Sequence, residues 1–352
     1  MGGANRSHQA SGHPRLLPGH SDDPDRGRKK EAPLPPDRYH HRPVLLDETL
    51  SLLELGPGDV VVDGTVGGAG HAVAILERTA PDGLLVGLDV DDEALEEAGR
   101  CLRPYGERAR LVRSSYRRMN TVLEELGMSR VDAILLDLGV SSRHLDTPER
   151  GFRFADAGAG ETPLDMRMDR RLEATAADLL ARASAEQLQA WFSEYGELPG
   201  SRTLARAITA ARRERPLRTT GDLLAVIDAA GIGRGRKHHP GTLVFQALRI
   251  AVNDELGALR EGLERAIEAL APGGRLAVIA YHSLEDRIVK NAFRDAVRGC
   301  TCPPRQPVCT CGKQPRLELV TRKPVAAGED ETRSNPRARS ARLRVARRRE
   351  AA

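Results

Sequence analysis

Short apolar runs alternate with helix-spaced segments through the first half of the chain. Val60-Val61-Val62 is a β-branched run that ends at Asp63. Leu84 to Val90, Ala109 to Val112 and Val131 to Leu138 read as the next three strands, with helical stretches at Glu93 to Leu102 and Met119 to Leu126 between them. Alternating β and α units predict a parallel sheet covered on both faces. The alternation then stops. Ser184 and Gln187 form a capping box, and Leu188, Trp191, Phe192 and Tyr195 follow at i, i+3, i+4 and i+7 before Gly196 ends the helix. Leu204 and Ile208, then Leu223, Leu224 and Ile227, predict two more helices, so this stretch is a helical insertion. The sheet pattern resumes with one long helix through Phe245, Leu248, Val252, Leu256, Leu259, Leu263 and Leu270. The turn Pro272-Gly273-Gly274 leads into a fifth strand from Arg275 to Tyr281, and Leu317 to Thr321 and Leu343 to Ala346 supply two final strands. In the last, Leu343 and Val345 would face the core, leaving Arg342 and Arg344 on the solvent side and Arg347, Arg348 and Arg349 beyond the strand.

Composition narrows the class. The 352 residues are 40% hydrophobic and 30% charged, as in an ordinary globular protein, and no apolar run reaches the roughly 18 residues of a membrane helix. The N-terminus lacks the apolar core of a signal peptide, and five cysteines without an export signal point to a reducing cytoplasm. Residues 1–38 carry too little apolar surface to offset ordering entropy, so a disordered tail is expected. The net charge of +4 is unevenly spread: eight arginines and no acid lie between Arg333 and Arg349, and without them and Glu350 the remainder carries −3. A localised arginine stripe is better support for a nucleic-acid partner than the overall balance.

The chemistry sits at strand ends. Asp63-Gly-Thr-Val-Gly-Gly-Ala-Gly-His71 is a glycine-rich turn opening a helix, which offers free N–H groups to a ligand without matching the strict dinucleotide fingerprint. Asp89 ends the second strand, where a carboxylate can accept hydrogen bonds from a ribose diol; Asp91 or Asp92 suits the N-cap of the following helix. Asp137-Leu-Gly-Val-Ser141 ends the fourth strand beside the expected switch point. Together the three junctions look like a class I S-adenosylmethionine-dependent methyltransferase.

Longer strings carry a more specific resemblance. His41-Arg-Pro-Val-Leu-Leu-Asp-Glu48, the Asp63 to His71 turn, Leu136 to Ser142, Arg150-Gly-Phe-Arg-Phe154 and Pro163 to Asp169 resemble the bacterial small-subunit ribosomal RNA (cytosine-N4)-methyltransferase H family. So do Phe245 to Ile250, His282 to Lys290 and Asn335 to Ser340, and the likeness spans about residues 40 to 348. It implies an α/β Rossmann-like domain with a seven-stranded, mostly parallel sheet at 39–147 and 243–349, with a helical insertion for substrate recognition at 148–242. It also implies S-adenosyl-L-methionine as methyl donor and the N4 amine of a decoding-centre cytidine in 16S ribosomal RNA as acceptor, within the small subunit. No membrane is involved, and the oligomeric state stays open, a homodimer included.

The family's cofactor pattern falls on Ala69, Gly70, His71, Asp89, Tyr116, Asp137 and His144. Ala69 replaces a glycine and should therefore sit at negative φ. Tyr116 replaces a phenylalanine and keeps a ring to lie against adenine, and His144 replaces a glutamine. An exocyclic cytosine amine is a poor nucleophile, so the enzyme must align it and accept an N–H bond. Asp137 is the first candidate, for cofactor contact or amine acceptance. His282 and Ser283 come next as contacts to a flipped base, although His282 is equally a structural hydrogen-bonding residue. The aromatic loop of many amino-methyltransferases is missing after the fourth strand, which argues against a DNA enzyme. A non-catalytic assembly factor is the remaining alternative, opposed by intact Asp89 and Asp137. No metal is assigned: Cys300, Cys302, Cys309 and Cys311 can be read as a zinc site or as reduced surface thiols. The basic residues Arg202, Arg206, Arg212, Arg213 and Arg215, then Arg234, Arg236 and Lys237, read as a solvated face or as RNA phosphate contacts.

Overall fold

The computed structural model describes residues 42–153, 162–233, 239–298, 300, 302–303 and 306–350. The N-terminal tail, His41, Phe154 and the Arg234, Arg236, Lys237 group lie outside the described residues. Helix α1 (Leu46–Leu53) leads into β1 (Val60–Asp63), α2 (Gly70–Arg78), β2 (Leu84–Asp89), α3 (Asp92–Leu102), β3 (Ala109–Arg113), α4 (Met119–Glu125) and β4 (Val131–Asp137). Helices α5 (Ser142–Asp146), α6 (Ala176–Arg182), α7 (Ala185–Glu194), α8 (Ser201–Glu214), α9 (Thr220–Ala229), α10 (Gly241–Asn253) and α11 (Glu255–Ala269) follow. The chain returns to the sheet through β5 (Leu270–Ala280), α12 (Ser283–Arg298), β6 (Leu317–Leu319), α13 (Glu329–Ser334) and β7 (Arg342–Arg348).

The seven strands lie in the order β3-β2-β1-β4-β5-β7-β6. Strands β1 to β5 pair in parallel, whereas β7 runs antiparallel to both β5 and β6. This is the Rossmann-like sheet expected of a class I methyltransferase. Alternate residues of one strand enter different cores: Val62 and Leu136 pack with Leu259, Leu263, Val278 and Phe293, while Val61 and Leu135 pack with Ile75, Leu76, Ile279 and Leu343. Both faces are therefore covered, which is why the strands read as unbroken apolar runs. The order reverses between β1 and β4, so a crevice opens outside their carboxyl ends. A third cluster, with Leu180, Leu188, Phe192, Leu204, Ile208 and Phe245, holds α6 to α10 together.

Three expectations for the elements need correction. The long helix through Phe245 and Leu270 is two helices, because Asp254 takes a left-handed conformation (φ 49) between them. Apolar spacing carries on across the break, so periodicity alone hides it. Strand β5 begins at Leu270, before the Pro272-Gly273-Gly274 sequence, which forms an irregularity within the strand: Val131 pairs with Leu270, but Ala133 pairs with Arg275. Finally, Arg344 does not face solvent. It is buried in β7 and makes a bidentate bond to Asp286 at 2.7 and 3.0 Å, and the strand runs on to include Arg347 and Arg348.

Candidate active site

At the crevice lies a cavity of about 270 Å³. Gly64 and Thr65 from the β1 turn, Asp89 from β2, Ser115 and Tyr116 after β3, and Leu138 and Gly139 after β4 line one side. Met168, Asp169, Asn253, Glu255, Leu259 and Glu285 close the other. A larger hollow of about 410 Å³ lies beside α8 and α9, but its walls are mostly Ala207, Ala211, Val226 and Ala230, and Arg215 is paired there with Asp222. Glu214 is its other titratable group, whereas the smaller cavity gathers residues from the strand ends, so the smaller cavity is the candidate site.

Asp89 is held by two backbone donors, Gly67 N–H at 3.0 Å and Asp91 N–H at 3.0 Å. Burial raises its pKa against the opposing pull of those bonds. Tyr116 is set by the Ser115 cap of the turn after β3 and packs on α11 at Gly262, where a Cβ would come within 2.2 Å of Tyr116 Cδ2. Only glycine leaves room for the ring.

Asp137 ends β4 with its N–H donating to Thr65 Oγ1 at 2.7 Å and its Oδ1 accepting the Tyr281 hydroxyl at 2.8 Å. Although 23% of its side chain is exposed, crowding by neighbouring atoms desolvates it and pushes its pKa up to about 7, against the Tyr281 bond. Asp63, fully enclosed below the same turn, is likewise pushed up to about 7 by burial, although it accepts the Thr65 N–H. His71 faces Asp137 with Nδ1 at 3.6 Å from Oδ2. Its Nε2 contacts the Val44 carbonyl at 3.1 Å, an oxygen that can only accept, so Nε2 carries the proton. Burial lowers the His71 pKa to about 4. A neutral ring then turns a lone pair toward Asp137, an arrangement that suits a protonated carboxyl.

Ala69 contradicts the expectation of negative φ: it sits at φ 66, ψ 19, fully buried, at the N-cap of α2. The left-handed turn is thus made with an alanine, at a cost of about 1–2 kcal/mol. Gly70 begins the helix under Pro43, whose Cγ a Cβ would meet at 2.4 Å.

His144 stands behind the cavity wall. Its Nδ1 accepts the Ser141 N–H at 3.2 Å in a capping box, so Nε2 carries the proton toward Asp91 Oδ2 at 2.7 Å. The ring also lies 4.8 Å from that of Phe152. Both nitrogens therefore have partners within the chain. Arg150 joins the same network. Only 2% exposed, it bonds Asp91 Oδ2 at 3.0 Å and the carbonyls of Arg167 and Met168 at 3.0 and 3.1 Å. Burial would raise the Asp91 pKa, but the His144 bond and the Arg150 charge outweigh it and hold it at about 2. Arg150 thus ties the Met168 wall of the cavity to the end of β2.

His282 and Ser283 lie outside the cavity lining. Ser283 donates to Glu197 at 2.8 Å. His282 Nδ1 accepts from Glu285 N–H at 3.4 Å, and its Nε2 is 3.1 Å from Glu285 Oε1 but off the line of a hydrogen bond, leaving it without an aligned partner. Glu285 itself does line the cavity. Burial would raise its pKa, yet the His282 imidazole, the Arg249 charge and the Tyr281 N–H hold it low. Glu255 is fixed by a bidentate bond from Arg249 at 2.8 and 2.9 Å. Glu255 and Glu285 did not stand out in the sequence, because one lies in an apparently unbroken helix and the other opens a run of charged residues, Glu285-Asp286-Arg287. The polar pair Asn253-Asp254 inside an apolar period was the available signal.

Residues 38–349 match the MraW methylase family. The chain belongs to that family. It is 50% identical over 309 residues to the Ribosomal RNA small subunit methyltransferase H of Symbiobacterium thermophilum, covering 87% of this chain and 96% of the relative. The proteins of the same name from Heliobacterium mobile and Syntrophotalea carbinolica are 51% and 53% identical, each covering 88% of this chain and 98% of the relative. The MraW-family chain is thus a methyltransferase. Among the described residues no helix is long and apolar enough to cross a membrane.

Proposed function

We propose that the chain uses S-adenosyl-L-methionine to methylate the N4 amine of a decoding-centre cytidine in 16S ribosomal RNA. The donor set fits the cofactor. Asp89 offers free lone pairs to a ribose diol, Tyr116, Leu138 and Leu259 offer an apolar slot for adenine, and the desolvated, partly exposed acid Asp137 beside Leu138 complements a sulfonium. The cofactor supplies the electrophilic methyl group.

The observation that carries the acceptor reading is Asp137. Its carboxyl lies at the switch point with a pKa near the operating pH, as a group that accepts an amine N–H should have. Tyr281 holds one oxygen in place and the other faces His71; Asp137 adjoins the lining residue Leu138 without lining the cavity itself, and 23% of its side chain is exposed. Glu285 forms the opposite wall, with the His282 turn behind it, where a base flipped out of the RNA would be received. His144 acts on the cofactor through Asp91 and the end of β2. The helices of 148–242 serve substrate recognition, with exposed Arg202, Arg206 and Arg213 toward phosphate. Arg212 and Arg215 are occupied within the chain, by the Leu180 and Ala183 carbonyls and by Asp222.

Nucleoside mass spectrometry of small-subunit RNA tests this reading. Deletion of the gene should remove N4-methylcytidine, the intact gene should restore it, and Asp137→Ala should not. Unchanged N4-methylcytidine in the deletion strain would reject the substrate; restoration by Asp137→Ala would reject the residue.

A further inference from the structure

Among the described residues of the eighteen-residue connection between α12 and β6, none from Cys300 to Arg316 is buried. Connections of more than about 12–15 residues without secondary structure are uncommon in compact domains unless something orders them. Yet four thiols converge here. Cys309 Sγ is 3.6 Å from Cys300, 3.9 Å from Cys302 and 3.6 Å from Cys311, and Cys311 is 3.7 Å from Cys300. All four sulfurs lie within 4.8 Å of one another.

Those separations are too long for disulfides, which need about 2.05 Å. They match the edge of a tetrahedron built around zinc: with a Zn–S bond of about 2.3 Å, neighbouring sulfurs stand about 3.8 Å apart. Each Cys-x-Cys pair keeps its two thiols one residue apart, and the two pairs meet across the connection. Gly312, at φ 62 immediately after the last thiol, lets the chain turn away without a clash.

The geometry points to a structural zinc site formed by Cys300, Cys302, Cys309 and Cys311. Four thiolates favour a soft, tetrahedral ion over magnesium or calcium and leave no open position for water, so the site orders the connection and does no chemistry. Binding converts the four thiols to thiolates and releases their protons to solvent. None of the four lines the active-site cavity.

The test uses the full chain, purified under reducing conditions and offered zinc or cobalt. We expect one zinc per chain by elemental analysis. Cobalt should give the intense visible bands of a tetrahedral ion with thiolate charge transfer, and zinc should displace it. Cys101→Ser should keep these bands and Cys309→Ser should lose them. Cys302→His, which preserves four ligands, should keep a tetrahedral spectrum with shifted bands, separating ligand loss from misfolding. An octahedral cobalt spectrum, or zinc content near zero with all four thiols open to a thiol reagent, would overturn the site. So would a disulfide among them in the reduced preparation.

Discussion

Asp137 carries two expectations that a neutral isostere separates. Asp137→Asn should leave the melting temperature within a few degrees while lowering single-turnover methyl transfer at least about 100-fold, since a well-placed acceptor contributes about that much. The second concerns pH. Asp63 and Asp137 titrate near 7 in the fold, against 3.8 for an ordinary aspartate. The folded, ligand-free chain therefore holds their protons from about pH 4 to 7, and the stability they contribute is lost as pH rises through 7. His71, lowered to about 4, acts in the opposite sense between about 4 and 6.5, where only the unfolded chain takes its proton. Two carboxyls outweigh one imidazole, so urea unfolding of the ligand-free protein should show lower stability at pH 7.5 than at pH 5.5. A cationic ligand favours the ionised acids, so its affinity should rise over the same range, with proton release visible by calorimetry in buffers of different ionisation enthalpy. Stability that climbs with pH would mean the acids are already ionised in the folded chain. Asp89→Ala should weaken S-adenosylmethionine binding more than about tenfold, the loss of charge-assisted bonds to a diol. At Ala69 the sign is reversed: Ala69→Gly should add about 1 kcal/mol of stability by relieving the left-handed backbone, and a destabilised variant would show that the buried methyl matters more.

At the level of elements, Arg150 joins three segments that are distant along the chain: the end of β2, the turn after α5 and the 163–169 loop. Arg150→Met would leave Asp91 and two carbonyls without their partner in a buried place. Breaking such a pair costs about 3–5 kcal/mol. Denaturant unfolding should register that loss, and cofactor affinity should fall with it because Met168 lines the cavity. A variant as stable as the parent would mean that His144 alone satisfies Asp91. The string Arg150-Gly-Phe was visible in the sequence as a family mark; its task was not, because hydrogen bonds to carbonyls leave no trace in side-chain pattern. The helix break at Asp254 is similar. Local periodicity favours continuation, and the bidentate hold of Arg249 on Glu255 across the break favours two helices.

For the whole molecule, the arginine-rich end is structural before it is anything else. Strand β7 sits between β5 and β6, so its seven residues complete the sheet. Arg348 donates to the carbonyls of Ile267 and Glu268 at the end of α11, Arg347 pairs with Glu318, and Arg337 with Asp146. Arg347 and Arg348 therefore do not lie beyond the strand as a free tail. Arg348→Gln should cost about 1–2 kcal/mol in thermal unfolding by leaving helix-end carbonyls without a charged donor. The slope of log RNA affinity against log salt should stay unchanged. A slope flattened by about one unit, with unaltered stability, would return this arginine to phosphate contact.

The sequence by itself determined the layered α/β sheet, the strand ends that carry Asp63, Asp89 and Asp137, and the helical character of the insertion. These follow from local periodicity, from glycine at turns, and from the fact that an open parallel sheet presents ligands at one edge. Tertiary structure decided everything that depends on partners far along the chain. It put alanine into a left-handed turn, enclosed His144 and Arg150 around Asp91, and brought Glu255 and Glu285 to the cavity. It also turned a stripe of arginines inward to helix ends and carboxylates, because a charged side chain is satisfied by whichever oxygen the fold brings within reach. A pattern of charges along the chain does not contain that distance.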